Sequence, residues 1–280
     1  MSRAAIRSHA LAGGFGSAAG ALFYEMAGSR RRVARRNLAL AFPDEPDRRL
    51  ERLARVSFRH FGRSIFETVS LSRLDAEAIC SLLSFEGWDN FARAEAEGRG
   101  VIVLTAHLGV HEVLSPTIAL YRGPLHMVAR PFSHPALERR VRAIRERFGN
   151  FSLPKRQAAR GMMRALAEGD RVAILIDQRV HPFQGVRVPF FDRESWTSPL
   201  PAQISLRSGA PVLPIFAYGR GQGRYSIVAH SPILPPASGG SKPSAAEVHN
   251  LTAQYAQATE MAIRRELGQW MWMHDRWRRH

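Results

Sequence analysis

Two kinds of hydrophobic pattern divide the chain near residue 84. Between Asp47 and Leu71, apolar side chains such as Leu50, Leu53 and Val56 recur every three or four positions. This spacing predicts an amphipathic helix. Beyond about residue 84, short apolar runs alternate with longer charged segments, a pattern typical of alternating strands and helices. The sequence therefore predicts an α/β fold, with a helical region to about residue 83 and a central sheet flanked by helices after it.

The same pattern places the individual strands and helices. Apolar runs predict strands at residues 101–105, 125–129, 172–176, 212–217 and 225–229. Helical spacing predicts helices at residues 89–97, 111–121, 135–148, 157–167, 200–208 and 245–267. Residues 232–244 are rich in Pro, Gly and Ser, and they predict a surface loop because the remaining chain is too short to fold alone. We therefore expect a single domain over residues 29–280, preceded by a separate segment over residues 1–28.

Residues 10–24 form an uncharged stretch with arginines on both sides. Arg3 and Arg7 precede it, and five arginines follow it between residues 30 and 36. The stretch contains four glycines and falls short of the roughly 18 apolar residues that a membrane-spanning helix needs. Three interpretations stay open here: an interfacial or tilted membrane anchor within residues 1–28, an ordinary packed helix, and an export signal without a clear cleavage site. As an anchor, it would bring the arginine cluster to an anionic membrane surface.

The charge of the chain narrows its partners. The 280 residues carry a formal net charge of +16, and all but two of the 40 basic residues are arginine. Arginine binds phosphate and carboxylate groups through two parallel hydrogen bonds, so we expect phospholipid surfaces, phosphorylated substrates or an acidic protein as partners. The sequence has no nucleic-acid recognition motif interleaved with aromatic residues, and we expect no nucleic acid partner. The single cysteine, Cys80, excludes an intramolecular disulfide framework and favours the cytoplasmic side.

Three predicted strands end at residues that can do chemistry. His107, Arg130 and the pair Asp177 and Gln178 each follow a strand directly. Ligands of open α/β sheets bind beyond the carboxyl ends of the strands. We therefore expect a base, a cation and a carboxylate to converge at that edge, although each of them alone could be a helix cap or a surface ion pair.

The segment after His107 allows more than one kind of site. If one straight helix began at residue 107, His107 and His111 would share a face, as zinc-binding histidines do. If a strand ends at Ala106, His107 lies in a turn that Gly109 bends, and Glu112 can reach back to the imidazole. We prefer the His107–Glu112 pair over a metal site and over an inert core histidine, because neither an HExxH motif nor a cysteine pair occurs. A carboxylate that fixes one imidazole tautomer leaves the other nitrogen to accept a proton from a hydroxyl.

Six blocks of the chain, two of which are residues 201–203 and 209–214, share short motifs with one known family. Residues 100–112 read Gly-Val-Ile-Val-Leu-Thr-Ala-His-Leu-Gly-Val-His-Glu and resemble the H-x4-D/E block of the bacterial lipid A late acyltransferases, the lauroyl and myristoyl transferases. Residues 37–43 resemble the NL-x-x-x-FP segment of that family, and residues 177–191 contain its DQ and GV-x-VPFF stretches. Residues 269–277 are similar to its tail pattern QW-x-W-x-H-x-RW. The ordered series covers nearly the whole chain and is far more specific than the H-x4-E spacing alone.

This resemblance implies a glycerolipid-acyltransferase-like fold, with a central mixed sheet flanked by helices and an N-terminal helical region. It implies transfer of an acyl chain from an acyl-carrier-protein thioester to a hydroxyl of a lipid acceptor at the cytoplasmic face of the inner membrane. By the same resemblance, His107 is the general base and Glu112 orients it. Arg130, Asp177 and Gln178 contact the phosphorylated acceptor or support the site. Neither a cofactor nor a metal is implied, because the carrier-protein thioester is itself the donor substrate.

Alternatives stay open for the acceptor, for the donor and for the class of protein. A lipid A precursor, a glycolipid such as a phosphoinositide mannoside, or a lysophospholipid would each supply the hydroxyl. Coenzyme A competes with acyl carrier protein as the carrier, since the positive charge of the chain attracts both. The alternative from another class is a non-catalytic basic protein that docks on a membrane or nucleic acid through its arginines. Such a protein has no need of a histidine–carboxylate pair at the strand ends.

Overall fold

Helices and strands alternate along most of the chain after a helical N-terminus. The structure is a computed structural model, and it describes residues 2–128, 134–153, 158–236 and 242–278. The α-helices are α1 (Ser2–Met26), α2 (Gly28–Ala41), α3 (Asp47–Leu71), α4 (Ala76–Ser81), α5 (Asp89–Glu95), α6 (Leu114–Arg122), α7 (Pro135–Arg145), α8 (Ala158–Ala167), α9 (Leu200–Ser208) and α10 (Ala245–Arg265). The strands are β1 (Leu83–Glu86), β2 (Val101–Thr105), β3 (Leu125–Val128), β4 (Phe151–Leu153), β5 (Arg171–Leu175), β6 (Val186–Phe190), β7 (Arg193–Thr197), β8 (Val212–Gly219) and β9 (Tyr225–Ala229). Single 3-10 turns lie at His111–Val113, Arg147–Gly149, Pro182–Gln184 and Leu267–Gln269.

Within the described residues, seven strands form one sheet in the order β1-β9-β8-β2-β5-β3-β4. From β8 to β4 each strand runs parallel to its neighbours. β9 pairs antiparallel with β8, and β1 pairs parallel with β9. β6 and β7 form a separate antiparallel hairpin. The sheet is therefore mixed, and the predicted α/β fold is confirmed.

Apolar side chains on the two faces of the sheet build two parts of the core. Consecutive residues of a strand point to opposite faces. On β2, Val103 belongs to a cluster with Ile118 of α6, whereas Ile102 and Leu104 belong to another with Met162 of α8. All of β2 is buried. The strand that precedes His107 is thus held between helices on both faces, which is how parallel strands are normally covered.

The N-terminal helices form a layer against the α/β part. α1 lies along α3 at very short range, since a Cβ atom on Gly20 would overlap the carbonyl oxygen of Phe58, and one on Gly62 would overlap that of Gly16. Small residues at such positions let two helix backbones approach closely. Residues 10–24 are thus part of a helix packed on the protein, which agrees with the second interpretation of this segment. Among the described residues, no helix is long and apolar enough to cross a membrane.

Some elements differ from the prediction, and their sequences explain why. α3, α9, β2 and β9 have the predicted limits, but α2, α4, β1, β4 and the β6–β7 hairpin were not predicted. β1 and β4 have only four and three residues, too few for a readable alternation. The helix predicted at residues 111–121 begins as a 3-10 turn and becomes α6 only at Leu114. Residues 129 and 157 of the predicted elements lie outside the described residues, as do residues 237–241 of the predicted loop.

Candidate active site

Two of the three predicted strand ends meet at the carboxyl edge of the sheet. β2 and β5 are parallel neighbours, in a register that pairs Thr105 with Leu175. Continued by two residues, this register sets His107 beside Asp177, and His107 Nδ1 lies 3.0 Å from Asp177 Oδ1. Arg130, the cation expected after β3, lies outside the described residues.

Hydrogen bonds hold the His107 ring at both nitrogens. Asp177, which is only 2% exposed, accepts from the Nδ1–H group. On the other side of the ring, the amide nitrogen of Gln178 lies 3.2 Å from His107 Nε2. Together these contacts favour the tautomer that carries its proton on Nδ1 and keeps a lone pair on Nε2. Nε2 is therefore the nitrogen that can accept a proton, and a bound molecule that gives its proton to Nε2 takes the place of the Gln178 amide.

Burial and charge act in opposite directions on this pair. Burial lowers the pKa of His107, but the charge and hydrogen bond of Asp177 outweigh it and leave that pKa above its ordinary value. Burial also raises the pKa of Asp177, yet His107 and the Trp270 indole hold it well below its usual range. Asp177 is thus ionised at neutral pH, and its charge stabilises the imidazolium that forms when Nε2 takes up a proton.

The C-terminal tail supplies the second partner of Asp177. Trp270 Nε1 donates to Asp177 Oδ2 over 2.9 Å, and the carbonyl oxygen of Trp270 accepts from the hydroxyl of Ser57 on α3. Trp270 is fully buried. Because 93 positions separate Trp270 from Asp177, no local sequence pattern places it in the site. The one sequence feature that points to Trp270 is the QW-x-W pattern of the tail.

Three of the motif blocks are hydrogen-bonded to one another around this pair. The amide of Asn37, from the block at residues 37–43, donates to the carbonyl oxygens of Trp272 and His274 in the tail. In turn, His274 Nε2 accepts from the backbone N–H of Arg179, directly after the Asp177 and Gln178 pair. Hydrogen bonds therefore join three motif blocks that lie far apart in the sequence.

Glu112 does not lie where the sequence analysis expected it. Its carboxylate forms two hydrogen bonds with the guanidinium of Arg145 on α7, at 2.5 Å from Nη2 and 3.1 Å from Nε. His111 lies beside it, with Nε2 3.7 Å from Glu112 Oε1, and the ring centroids of His107 and His111 are 5.0 Å apart. The carboxylate bonded to His107 is thus Asp177 rather than Glu112.

The path of the backbone after His107 explains this difference. Gly109 has a φ of 61°, which confirms the bend expected there. Its N–H donates to the carbonyl of Gln269, and the N–H of Val110 donates to the carbonyl of Ala217 on β8. The chain therefore runs between β8 and the tail before it reaches the 3-10 turn that carries Glu112, and this carboxylate meets α7.

The Glu112–Arg145 pair is buried but well compensated. Burial by itself raises the pKa of Glu112, but the Arg145 hydrogen bonds and the neighbouring charges bring it below its ordinary value. Burial lowers the pKa of His111 to about 4, so this neighbouring imidazole is neutral at pH 7. The pair keeps one negative and one positive charge close enough to His107 for both to affect its pKa.

Two cavities meet at these side chains. The larger has a volume of about 610 Å³ and lies between the sheet and α6, with apolar walls that include Val103, Ile118, Leu125 and Met127. The smaller, of about 340 Å³, lies between α3, α7 and the tail, with apolar walls that include Phe61, Ile65, Val69, Val141 and Met271. Both are lined by His107, His111, Glu112, Arg145 and Gln178. The imidazole of His107 therefore stands at the junction of two largely apolar spaces.

The chemistry of this arrangement is that of a supported general base. Nε2 of His107 can accept a proton, Asp177 can compensate the charge that would result, and Arg145 places a guanidinium in the wall common to both cavities. In the part of the chain that the structure describes, no group of three or more His, Cys, Asp or Glu side chains is arranged to hold a metal ion.

Known proteins resemble the chain over most of its length. A lipid A biosynthesis palmitoleoyltransferase of Escherichia coli strain K12 is 27% identical over 201 residues, which are 71% of this chain and 65% of that protein. A lipid A biosynthesis lauroyltransferase of the same strain is 24% identical over 258 residues, 89% of this chain and 79% of that protein. A phosphatidylinositol mannoside acyltransferase of Mycolicibacterium smegmatis is 28% identical over 192 residues, 68% of this chain and 63% of that protein.

These matches differ in how much of each relative they cover. The chain spans slightly less than two thirds of the palmitoleoyltransferase and of the mannoside acyltransferase. Among solved structures, the 1-acyl-sn-glycerophosphate acyltransferase PlsC from Thermotoga maritima aligns with 77% of this chain and 88% of its own, with 17% identity and a TM-score of 0.40. The family model described as bacterial lipid A biosynthesis acyltransferase matches residues 5–279. The chain therefore belongs to the bacterial lipid A biosynthesis acyltransferase family.

Proposed function

We propose that this protein is an acyltransferase that moves a fatty acyl chain from a thioester to a hydroxyl of a lipid A precursor or a related glycolipid. The observation that carries the proposal is the His107–Asp177 pair, because the His107 imidazole lines both of the apolar cavities. Two substrates that both carry acyl chains need two apolar sites that meet at one base. Membership of the family supports the same activity.

His107 acts as the general base in this mechanism. Its Nε2 takes the proton of the acceptor hydroxyl while the hydroxyl oxygen attacks the thioester carbonyl carbon. The tetrahedral intermediate collapses, the carbon–sulfur bond breaks, and the leaving thiolate takes the proton from His107. The products are an ester and a free thiol, and Asp177 stays ionised throughout, compensating the positive imidazole.

Glu112 and Arg145 have a supporting part in the same step. Negative charge develops on the carbonyl oxygen in the transition state, and a fixed positive charge in a site shielded from water stabilises it. Glu112 binds the Arg145 guanidinium through two hydrogen bonds and so fixes its orientation. In this proposal Glu112 therefore acts through Arg145, and Asp177 takes the orienting role that the resemblance implied for Glu112. Gln178 positions the ring from the Nε2 side.

Acyl carrier protein is the donor in this proposal, and the cytoplasmic face of the inner membrane is the place of the reaction. The net charge of +16 supports both an acidic carrier and an anionic lipid surface as partners. The arginine cluster at residues 30–36 contributes less than its sequence suggests. Three of its five arginines pair with carboxylates of this chain: Arg31 with Glu25, Arg35 with Glu51 and Arg36 with Asp275.

The proposal is tested with purified protein, acyl-acyl carrier protein and a radiolabelled lipid A precursor. We expect transfer of the acyl chain by the wild-type protein and a loss of at least about 100-fold in His107→Ala. The matched control is His126→Ala, because His126 also pairs with an aspartate, Asp170, at 2.8 Å. His126 does not line either cavity. Near-full activity in a folded His107→Ala variant would disprove the mechanism.

The acceptor has a second candidate. The 28% identity to a mannoside acyltransferase supports a phosphatidylinositol mannoside or a similar glycolipid in place of a lipid A precursor. Mass spectrometry of lipids from cells with and without the gene decides between them. A missing acyl chain on lipid A supports the first acceptor, and a missing chain on another glycolipid supports the second.

A further inference from the structure

An exposed apolar face covers the outer side of the N-terminal layer. On α1 it consists of Leu11, Phe15, Leu22 and Met26, which are all more than 60% exposed and repeat at helical spacing. On α3 it continues with Ile65 and Phe66, both more than 40% exposed. We call these six residues the apolar face. Large exposed apolar patches of this kind mark sites of interaction.

The other side of α1 is already used. Gly13, Gly16 and Gly20 bring that side against α3 so closely that a Cβ atom on any of them would meet α3 atoms. His9 adds hydrogen bonds to Ser70 of α3 and Tyr225 of β9. α1 is therefore fixed to the protein by its inner side, and its apolar side is directed outwards.

The apolar face is continuous with the smaller cavity. Ile65 belongs to both, since it is 45% exposed and also lines that cavity. Phe23 of α1 is partly exposed and packs against Phe61, another cavity residue, with ring centroids 6.4 Å apart. From Ile65 and Phe61 the cavity leads inwards to His107. An apolar passage therefore runs from the outer surface of the N-terminal layer to the base.

Charges around the apolar face fit an anionic membrane. Arg3 and Arg7 lie on exposed positions of α1, Arg59 on α3, and Arg139 on α7, the helix that forms another wall of the smaller cavity through Val141. Arg142 of α7 is exposed as well, but it pairs with Glu146. Apolar side chains with arginines around them match the interfacial zone of a bilayer that contains anionic lipid. A partner protein with a purely apolar surface would gain no electrostatic binding energy from these arginines.

We propose that the apolar face rests on the anionic lipid bilayer and that the lipid acceptor enters from that bilayer through the smaller cavity, which leaves the larger cavity for the acyl chain of the donor. The inference rests on the proposed function. A lipid acceptor resides in the membrane, and each methylene group that leaves the bilayer for water costs free energy. A passage that opens directly onto the bilayer avoids that step. The carrier-bound donor comes from water and approaches His107 from the other side.

The docking part is tested by flotation of full-length protein with vesicles of phosphatidylglycerol and phosphatidylethanolamine. We expect the double variant Phe15→Ser with Leu22→Ser to partition about tenfold less into vesicles than wild type. Met261→Ser is the matched control, because Met261 is 56% exposed but lies on α10. Equal flotation of the double variant and wild type would overturn the docking surface.

A thiol at the mouth of the cavity gives a second readout that needs no catalysis. In an Ile65→Cys variant that also carries Cys80→Ser, we expect the vesicles to slow alkylation by a water-soluble maleimide at least about tenfold. The control, Met261→Cys with Cys80→Ser, should react at the same rate with and without vesicles. Alkylation of the Ile65→Cys thiol that vesicles leave unchanged would place the membrane elsewhere.

The route of the acceptor is tested by kinetics. Ile65→Trp narrows the mouth of the smaller cavity, so we expect the apparent KM for acceptor in vesicles to rise about tenfold while the KM for the donor stays the same. A rise in the donor KM instead would reverse the assignment of the cavities. Wild-type protein that floats but transfers no acyl group would disprove the proposed function and leave the docking surface standing. Activity without flotation or protection would disprove the surface alone.

Discussion

The hydrogen bond between His107 and Asp177 determines both the tautomer and the charge of the proposed base. In Asp177→Asn, the carboxylate charge is lost, and burial then lowers the pKa of His107 with only the charge of Glu112 left to oppose it. A base acts only when deprotonated, so wild-type kcat/KM rises with pH through the raised pKa of His107. We expect Asp177→Asn to reduce kcat/KM by at least about 100-fold and to move the acid limb of the profile to lower pH.

The Asp170–His126 pair offers a control for this experiment. This pair also joins a histidine to an aspartate, with 2.8 Å between His126 Nε2 and Asp170 Oδ2. Asp170 directly precedes β5, whereas Asp177 follows the other end of that strand. Asp170→Asn should leave the shape of the pH–rate profile unchanged. A loss of activity in Asp177→Asn without any shift of the acid limb would mean that Asp177 only supports the fold.

Glu67 on α3 makes the stability of the protein depend on pH. Burial raises the pKa of Glu67 to about 7, despite the opposing hydrogen bond from Tyr225 and the charge of Arg63. Because the folded-state pKa lies above the unfolded value of about 4.3, the folded protein keeps a proton that the unfolded chain releases, and stability falls as pH rises through this window. We expect Glu67→Gln to gain on the order of 3 kcal/mol of unfolding free energy relative to wild type between pH 4.5 and 7.5.

His9 has to be separated from this effect. Burial lowers the pKa of His9 to about 4, so its own contribution to stability rises with pH between about 4 and 6.5. This histidine is present in both proteins, and burial rather than the charge of Glu67 shifts its pKa, so most of its contribution is common to both. Urea unfolding of wild type and Glu67→Gln at several pH values gives the measurement. A difference that does not change with pH would contradict the raised pKa of Glu67.

At the residue scale, sequence reasoning found the members of the site but not their partners. His107, Asp177 and Gln178 were identified because side chains after buried strands collect at one edge of a sheet. The pairing of His107 with Asp177 depends on β2 and β5 being neighbours, which no local pattern states. Glu112 is close to His107 in sequence, but two backbone hydrogen bonds made by Gly109 and Val110 carry the chain away first.

At the scale of elements, the contact of α1 with α3 depends on glycine. A Cβ atom on Gly20 would overlap backbone atoms of α3, which cannot move aside as a flexible side chain does. We expect Gly20→Ala to destabilise the protein by about 1–3 kcal/mol and to loosen α1. Chemical unfolding measures the first effect, and the rate of tryptic cleavage within residues 1–36 measures the second.

Gly14 provides the matched control in the same helix. Nothing lies within 4 Å of a Cβ atom at Gly14, so Gly14→Ala should stabilise α1 by up to about 1 kcal/mol through helix propensity alone. Equal effects of the two substitutions would show that α1 does not pack on α3 through its glycines.

Elements with a clear apolar pattern were predictable, and elements without one were not. α3 combines a regular apolar spacing with 25 residues, and its limits follow from sequence. The β6–β7 hairpin lies outside the central sheet, and its second strand reads Arg-Glu-Ser-Trp-Thr, in which polar residues dominate. Such a strand is specified by its partner and by tertiary packing more than by its own pattern.

At the scale of the whole molecule, positive charge affects how substrates arrive. A net charge of +16 attracts an acidic carrier protein over a Debye length of about 8 Å at physiological ionic strength, and it raises the rate of encounter more than the final affinity. We expect kcat/KM for acyl-acyl carrier protein to fall by about tenfold or more when the salt concentration is raised from about 0.05 to 0.5 M.

Acyl coenzyme A with the same chain is the comparison that makes this prediction specific. It carries the same thioester and several phosphate charges, but it lacks the extended acidic surface of a protein, so its kcat/KM should be lower at low salt and less sensitive to salt. Positive charge on the enzyme attracts both donors. The larger acidic surface of the carrier protein gives it a higher kcat/KM than acyl coenzyme A at low salt, and this advantage disappears when salt screens the charges. Equal or better use of acyl coenzyme A, with no salt-dependent advantage for the carrier protein, would overturn the donor assignment while leaving the His107–Asp177 mechanism intact.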